Sequence, residues 1–214
     1  MKSYLIRPAG ALVLALALAS CGGGDDDKFT VGGSVEGLFY PGLVLQNNGG
    51  QDITVNPPAN ASDTVKFSFP NKIEYGEVYK VTVKTQPAHQ TCQPSDLAPN
   101  SWGDTAGRLS SIDVRVSCYM NSFAIGGTIT GLTKDTTGLV LTNGSNTGTY
   151  TPTVEAITAD KPFTYQLPVK VPYGVTYGVT VLTQPVGRFC TVANATGTMG
   201  DAVVENINVT CVPV

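Results

Sequence analysis

The sequence predicts an all-β protein built as two tandem antiparallel β-sandwich domains, and three observations carry that prediction. Val and Thr number 25 and 26 of the 214 residues, 24 Gly and 14 Pro supply turn formers, and charged residues reach only 14%. β-Branched side chains suit a pleated, half-buried surface, whereas helix surfaces want Glu, Lys, Arg and Ala. Apolar residues recur at every second position in several runs, the mark of a strand with one buried face. Most of the chain is also written twice.

The repeat is direct. Val31-Gly-Gly-Ser-Val-Glu-Gly-Leu38 matches Ile125-Gly-Gly-Thr-Ile-Thr-Gly-Leu132, and Gly42-Leu-Val-Leu45 matches Gly138-Leu-Val-Leu141. Tyr75-Gly-Glu-Val-Tyr-Lys-Val-Thr-Val-Lys-Thr-Gln-Pro87 matches Tyr173-Gly-Val-Thr-Tyr-Gly-Val-Thr-Val-Leu-Thr-Gln-Pro185. Cys92 aligns with Cys190, and Cys118 with Cys211. Copies of about ninety residues are too long for solenoid units and long enough to fold alone. The expected domains are therefore residues 29–121 and 122–214.

Each element follows from its pattern. In the strand before Thr-Gln-Pro, Tyr79, Val81 and Val83 share the inward face, and Tyr177, Val179 and Val181 repeat them. In the last strand Ile112, Val114, Val116 and Cys118 point inward against Asp113, Arg115 and Ser117. Its copy sets Ile207, Val209 and Cys211 against Asn206, Asn208 and Thr210. A slip of one residue would turn every one of these apolar groups to water. Asn47-Asn48-Gly49-Gly50 and Asn143-Gly144 read as hairpin turns, since Asn and Gly tolerate positive φ. Six or seven strands per copy are expected, with no helix, which argues for a sandwich rather than a closed barrel.

The N-terminus reads as an address. Lys2 and Arg7 precede the apolar run Ala9–Ser20, which is too short to span a bilayer and fits the h-region of a secretory signal. The run ends Leu18-Ala19-Ser20-Cys21, which resembles the lipobox of bacterial lipoproteins. That resemblance implies a signal peptide over residues 1–20, cleavage before Cys21, and a diacylglycerol thioether with further acylation, such as palmitate, at Cys21. The absence of Asp after Cys21 leans towards outer-membrane localisation, so the membrane is a partner through the N-terminal lipid. Residues 21–28, Cys-Gly-Gly-Gly-Asp-Asp-Asp-Lys, read as the lipidated Cys and a flexible tether. Three adjacent carboxylates lack the spaced ligands of a calcium loop. Removal of residues 1–20 takes two of the 13 basic residues and none of the 16 acids, leaving a formal charge of −5. No basic cluster remains to neutralise phosphates, which excludes nucleic acid as a partner.

The pattern Gly-Gly-x-Val-x-Gly-Leu, Gly-Leu-Val-Leu, Tyr-Gly-x-x-Tyr-x-Val-Thr-Val, Thr-Gln-Pro, Cys and Cys, covering residues 31–214, is similar to a tandem repeat of proteobacterial lipoproteins. In outline it also resembles immunoglobulin-like and transthyretin-like modules. The resemblance implies two such β-sandwiches behind a lipid anchor and brings no catalytic residue with it.

Beyond Cys21, four cysteines fall two in each copy. An even count in an exported protein points to disulfides. Matched positions favour Cys92–Cys118 and Cys190–Cys211 over the cross-domain pairings, each closing a loop and stabilising by about 3–4 kcal/mol. A zinc site is short of ligands, since there is no Cys-x-x-Cys and His89 is the only histidine. No metal or other cofactor is expected.

His89 has no Gly-x-Ser-x-Gly or other nucleophile motif placed beside it, and reads as a solvated loop residue before it reads as catalytic. Glu36, Glu74, Glu77, Asp52 and Asp63 form no pattern of paired carboxylates. The first copy carries five extra residues within Gln93–Gly103, and the only Trp, Trp102, sits there. Trp102 reads first as a cap on its own core and second, with His89, as a contact for a protein or glycan ligand. The expected function is that of a non-enzymatic, membrane-anchored lipoprotein whose tandem domains bind, adhere or brace the cell envelope. An envelope enzyme or enzyme-inhibitor accessory protein is the alternative.

Overall fold

A computed structural model describes residues 28–60, 62–109, 111–144, 148–153, 157 and 161–214. The expected signal peptide, the lipid site Cys21 and the tether up to Asp27 lie outside the described residues. Those described hold strands and turns and no helix.

The first half contains β1 (Lys28–Phe29), β2 (Gly32–Glu36), β3 (Leu43–Asn47), β4 (Gln51–Val55), β5 (Val65–Ser68), β6 (Ile73–Glu74), β7 (Val78–Thr85), β8 (Gln90–Pro94), β9 (Gly103–Thr105) and β10 (Val114–Met120). The second contains β11 (Ser122–Phe123), β12 (Gly126–Thr130), β13 (Val140–Asn143), β14 (Phe163–Gln166), β15 (Val171–Pro172), β16 (Thr176–Thr183), β17 (Arg188–Ala193), β18 (Thr196–Thr198) and β19 (Asn208–Pro213). Sheets β5-β2-β10-β8 and β4-β3-β7-β9 form the first half. Their counterparts are β14-β12-β19-β17 and β13-β16-β18. The short pairs β1·β6 and β11·β15 close one end of each half. No described strand pairs across the halves, so the sequence repeat is a repeat of topology as well.

Each pair of sheets turns its alternating apolar face inward onto one core. Val35, Val114, Val116 and Cys92 from one sheet meet Leu43, Leu45, Tyr79 and Val81 from the other, all nearly inaccessible. Ile129, Val209 and Cys190 meet Leu141 and Val179 in a second, separate cluster. The periodicity of two thus assigns the inward faces correctly, with one exception. Ser117, expected outward, is buried because β10 is central and Ser117 lies between the longer side chains of Glu36 and Gln93.

One feature departs from the sequence expectation. The sheets are antiparallel except that β10 runs parallel to β2 and β19 parallel to β12. The first and last long strands of each half therefore lie side by side. The Asn-Gly turns behave as expected. In the first half Asn48 and Gly49 take positive φ (49° and 69°) and β3 returns directly as β4. In the second, Gly144 takes a positive φ of 65° and the chain returns antiparallel, Leu141 and Tyr150 exchanging both backbone hydrogen bonds at 2.9 Å.

The parallel contact explains the Gly-Gly motif. A Cβ on Gly33 would collide with the backbone of Val114, and one on Gly127 with that of Ile207. Glycine lets two strands approach here where no side chain fits. The cysteines lock the neighbouring strand. Cys92 and Cys118 face each other directly across β8·β10, and Cys190 and Cys211 across β17·β19, forming disulfides with Cα atoms 4.0 Å apart in both cases. The Gln of Thr-Gln-Pro holds each pair in place. Gln86 Oε1 accepts from Cys92 N–H (2.7 Å) and its Nε2 donates to Cys92 O (3.0 Å). Gln184 repeats both bonds on Cys190 at the same lengths.

One core polar group distinguishes the halves. Tyr165 stands where the first half has Phe67, and its hydroxyl donates to Ile207 O at 2.9 Å. Burial, with a smaller contribution from Tyr150, pushes its pKa up from 10.0 to about 12.

Two outcomes are expected from this. Gly33→Ala or Gly127→Ala should destabilise by at least about 3 kcal/mol, since backbone must move. Gly49→Ala, in open space but at positive φ, should cost about 1–2 kcal/mol. Urea melts with both disulfides intact measure the difference. For Tyr165, the folded phenol keeps its proton where the unfolded one loses it, so the stability it contributes below pH 10.0 is lost as pH rises towards about 12. Stability measured across that window should fall less steeply in Tyr165→Phe, at a cost of about 1 kcal/mol at neutral pH for the lost hydrogen bond.

Candidate functional site

The chemistry-bearing residues outside the core collect at two places. The first is the corner where the two halves meet. Pro87-Ala88-His89 forms the turn between β7 and β8, and His89 takes a positive φ of 59°. The matched residue of the second half is Gly187, at φ 70°. A non-glycine residue there carries backbone strain that its copy avoids, and such strain points to a side chain held for a purpose.

That purpose is visible in its contacts. The His89 ring stacks on Tyr173 of the second half, with centroids 3.7 Å apart and planes 5° from parallel. The Tyr40 ring meets it edge-on at 4.9 Å. Nδ1 lies 2.7 Å from the Asp201 carboxylate, an acceptor-only partner that places a proton on Nδ1. The backbone joins in. Asn121 N–H donates to His89 O (2.9 Å), Tyr173 N–H donates to Asn121 O (2.8 Å), and Thr91 Oγ1 donates to Asn121 Oδ1 (2.7 Å). The side chain is 27% exposed, so His89 is less solvated than a free loop residue would be. It is a joint between the repeats.

The second place is the insertion of the first half. Ser95 N–H and the Trp102 indole Nε1–H both donate to Arg115 O (3.0 and 2.7 Å), and Arg115 N–H donates to Ser101 Oγ (3.0 Å). The insertion is thereby fastened along β10. The Trp102 ring is half-buried and packs against the first core, the geometry of a core cap. Its exposed part borders a groove of about 490 Å3 on the outer face of β7 and β9, with Val78, Lys80, Thr82, Gly103 and Asp104 around it. A Cβ at Gly103 would come within 3.1 Å of the Tyr79 carbonyl oxygen. Asp104 Oδ1 accepts from Thr105 N–H (2.7 Å) and from Arg108 (3.1 Å). Burial, and to a lesser degree the Asp104 charge, raises the pKa of the Tyr79 phenol beneath.

The remaining acids are dispersed. Asp52 pairs with Lys84 and accepts from Gln46 Nε2 (2.6 Å); those hydrogen bonds, Lys84 foremost, lower its pKa at the surface. Glu77 caps the turn by accepting Glu74 N–H (2.7 Å), and Asp63 accepts from Asn60 (3.1 Å). Among the described residues no three His, Cys, Asp or Glu side chains come together as a metal-holding group. Trp102 and His89, the two sequence candidates, are not brought together into one site.

No protein-family model matches the chain, and no curated protein matches it either. The functional argument therefore stands on the sequence and this geometry.

Sequence reasoning singled out His89 but not its partners Tyr40, Asn121, Tyr173 and Asp201. One signal was legible: a His aligned with a Gly in a matched turn marks a residue kept against backbone preference.

His89→Gly should relieve the strain and delete the stack and the hydrogen bond to Asp201 together. Each half should keep its own unfolding midpoint within about 1 kcal/mol. The two halves should then tumble independently, read from their separate NMR relaxation times. Joint tumbling in the variant would assign the joint to the Asn121 backbone bonds instead.

Proposed function

We propose that this protein is a non-enzymatic lipoprotein of the bacterial cell envelope, anchored in the outer membrane through Cys21, whose tandem sandwiches form a binding, adhesion or structural module. The observation that carries this reading is the stretch Leu18-Ala19-Ser20-Cys21 placed only seven residues before the first described strand at Lys28. A folded body that begins so close to the lipid site is suited to working beside a membrane. Two acyl chains or more anchor stably where one does not.

Several structural features support the non-catalytic part. The one imidazole is engaged between the repeats, and the matched motifs act on the fold: Gly-Gly on strand contact, Thr-Gln-Pro on the disulfide strand, Tyr-Gly on the turn before β7 and β16. What the first half has and the second lacks is the fastened insertion with Trp102 beside its groove. Its apolar walls with Lys80 and Asp104 at the rim fit a protein or glycan surface.

Two measurements on cells test the reading. Wild-type protein should incorporate labelled palmitate and fractionate with the outer membrane, and Cys21→Ser should lose both properties while folding normally. Protease added to intact cells, with lysed cells as control, then separates a surface module, cleaved in both, from a periplasmic one, cleaved only after lysis. Membrane fractionation of Cys21→Ser unchanged from wild type would overturn the anchor.

A further inference from the structure

The two halves carry the same platform at the end where the chain enters, and in the second half that platform is covered. There, β11 pairs with β15, Tyr173 follows directly, and Gly174 N–H donates to Met199 O (2.9 Å). The residue just before β11, Asn121, crosses over and accepts from Tyr173 N–H. The Tyr173 ring is covered by His89, and Asp201, one residue past Gly200, holds the imidazole. In the first half β1 pairs with β6 in the same register, Tyr75 follows directly, and Gly76 N–H donates to Ala106 O (3.0 Å). Here no ring among the described residues covers the tyrosine. Tyr75 is 69% exposed, its ring lying over Gly107, and Leu109, two residues further along, is 68% exposed.

One substitution changes the sign of the platform. Counting from the matched glycines, Asp201 of the second half becomes Arg108 in the first, with a side chain 71% exposed. An acid receives the imidazole in one half; in the other stands a guanidinium whose one described ion pair is with Asp104. The other charges at this end are Lys28 and Lys72, both exposed, with Glu74 opposite Lys28, Glu77 on the Glu74 amide, and Asp104 shared with Arg108. Lys72 makes no ion pair among the described residues.

We propose that this platform is occupied by the chain's own acidic segment Asp25–Asp27. The segment ends at Lys28, on the platform itself, so the residue aligned with Asn121 is Asp27. Three residues reach about 10 Å at full extension, and the antiparallel register Lys28↔Glu74 directs a chain preceding Lys28 towards Tyr75, whose ring lies at Gly107 beside Arg108. A cation in place of Asp201 matches three consecutive carboxylates. A second copy cannot reproduce the covered arrangement, because the turn at the far end of the second half presents Gly187 where His89 supplies the ring. The docked segment would hold the first repeat against its own leader instead of letting it swing. This inference does not depend on acylation of Cys21.

Hydrogen exchange on the full mature chain in detergent tests it, followed by mass spectrometry of the peptide spanning residues 22–29. Its amides should exchange about tenfold more slowly in wild type than in Arg108→Glu or in Asp25→Asn/Asp26→Asn/Asp27→Asn. About 1 M salt should remove the difference. Exchange in β2 and β10 reports that the variants remain folded. Equal exchange in all three proteins overturns the proposal. So does protection of Tyr75 and Leu109 peptides that grows with protein concentration, which would assign the face to a second copy. Protection that appears only on added phospholipid vesicles would assign it to the lipid surface and overturn it as well.

Discussion

Everything in each half hangs on two backbones running parallel at a separation that admits no side chain. β2 and β10, and likewise β12 and β19, bring the beginning and end of a ninety-residue copy into direct contact, and Gly33 and Gly127 are the residues at which a Cβ would meet the opposing chain. The contact is made between segments distant in sequence, so loop-closure entropy opposes it. The disulfide relieves part of that burden by tying the last strand to its other neighbour, and the Thr-Gln-Pro glutamine holds the cysteine backbone at both its N–H and its carbonyl. Three motifs that look unrelated along the chain thus serve one central strand.

With the scaffold so constrained, the differences between the copies fall at corners and edges. His89 replaces Gly187 and turns a plain hairpin into a joint. Arg108 replaces Asp201 and reverses the charge of a shared platform. The extra residues before Trp102 fasten onto Arg115 and open a groove outside β7 and β9. Tyr165 replaces Phe67 and adds a hydrogen bond inside the second core. Duplication supplies a stable frame, and divergence at exposed positions costs that frame little.

The joint at His89 also bears on what such a pair of modules can do. A stacked ring, the His89–Asp201 hydrogen bond and the backbone bond from Tyr173 to Asn121 give the halves a defined mutual orientation, which a linker of Gly and Ser would not. The Trp102 groove of the first half is thereby held at a set orientation to the second half.

Alternation at two-residue spacing, the internal repeat and the matched cysteines were enough to read the all-β class, the inward faces and the disulfide partners, because each depends on local periodicity or on comparison of one copy with the other. The Asn-Gly turns were legible as well, because positive φ is a local preference, and Leu141 pairs antiparallel with Tyr150 across the second of them. The parallel pairing, the role of Gln86 and Gln184, and the Tyr40, His89, Tyr173 and Asp201 cluster were not legible. Their partners lie from six to more than a hundred residues apart, and no periodicity within a strand carries that information. Sequence alone determined which face of each alternating strand turns inward, Ser117 excepted, and which cysteines are matched. The tertiary structure decided which backbones touch and which turn of one repeat meets the other, because those contacts exist only once the chain has closed on itself.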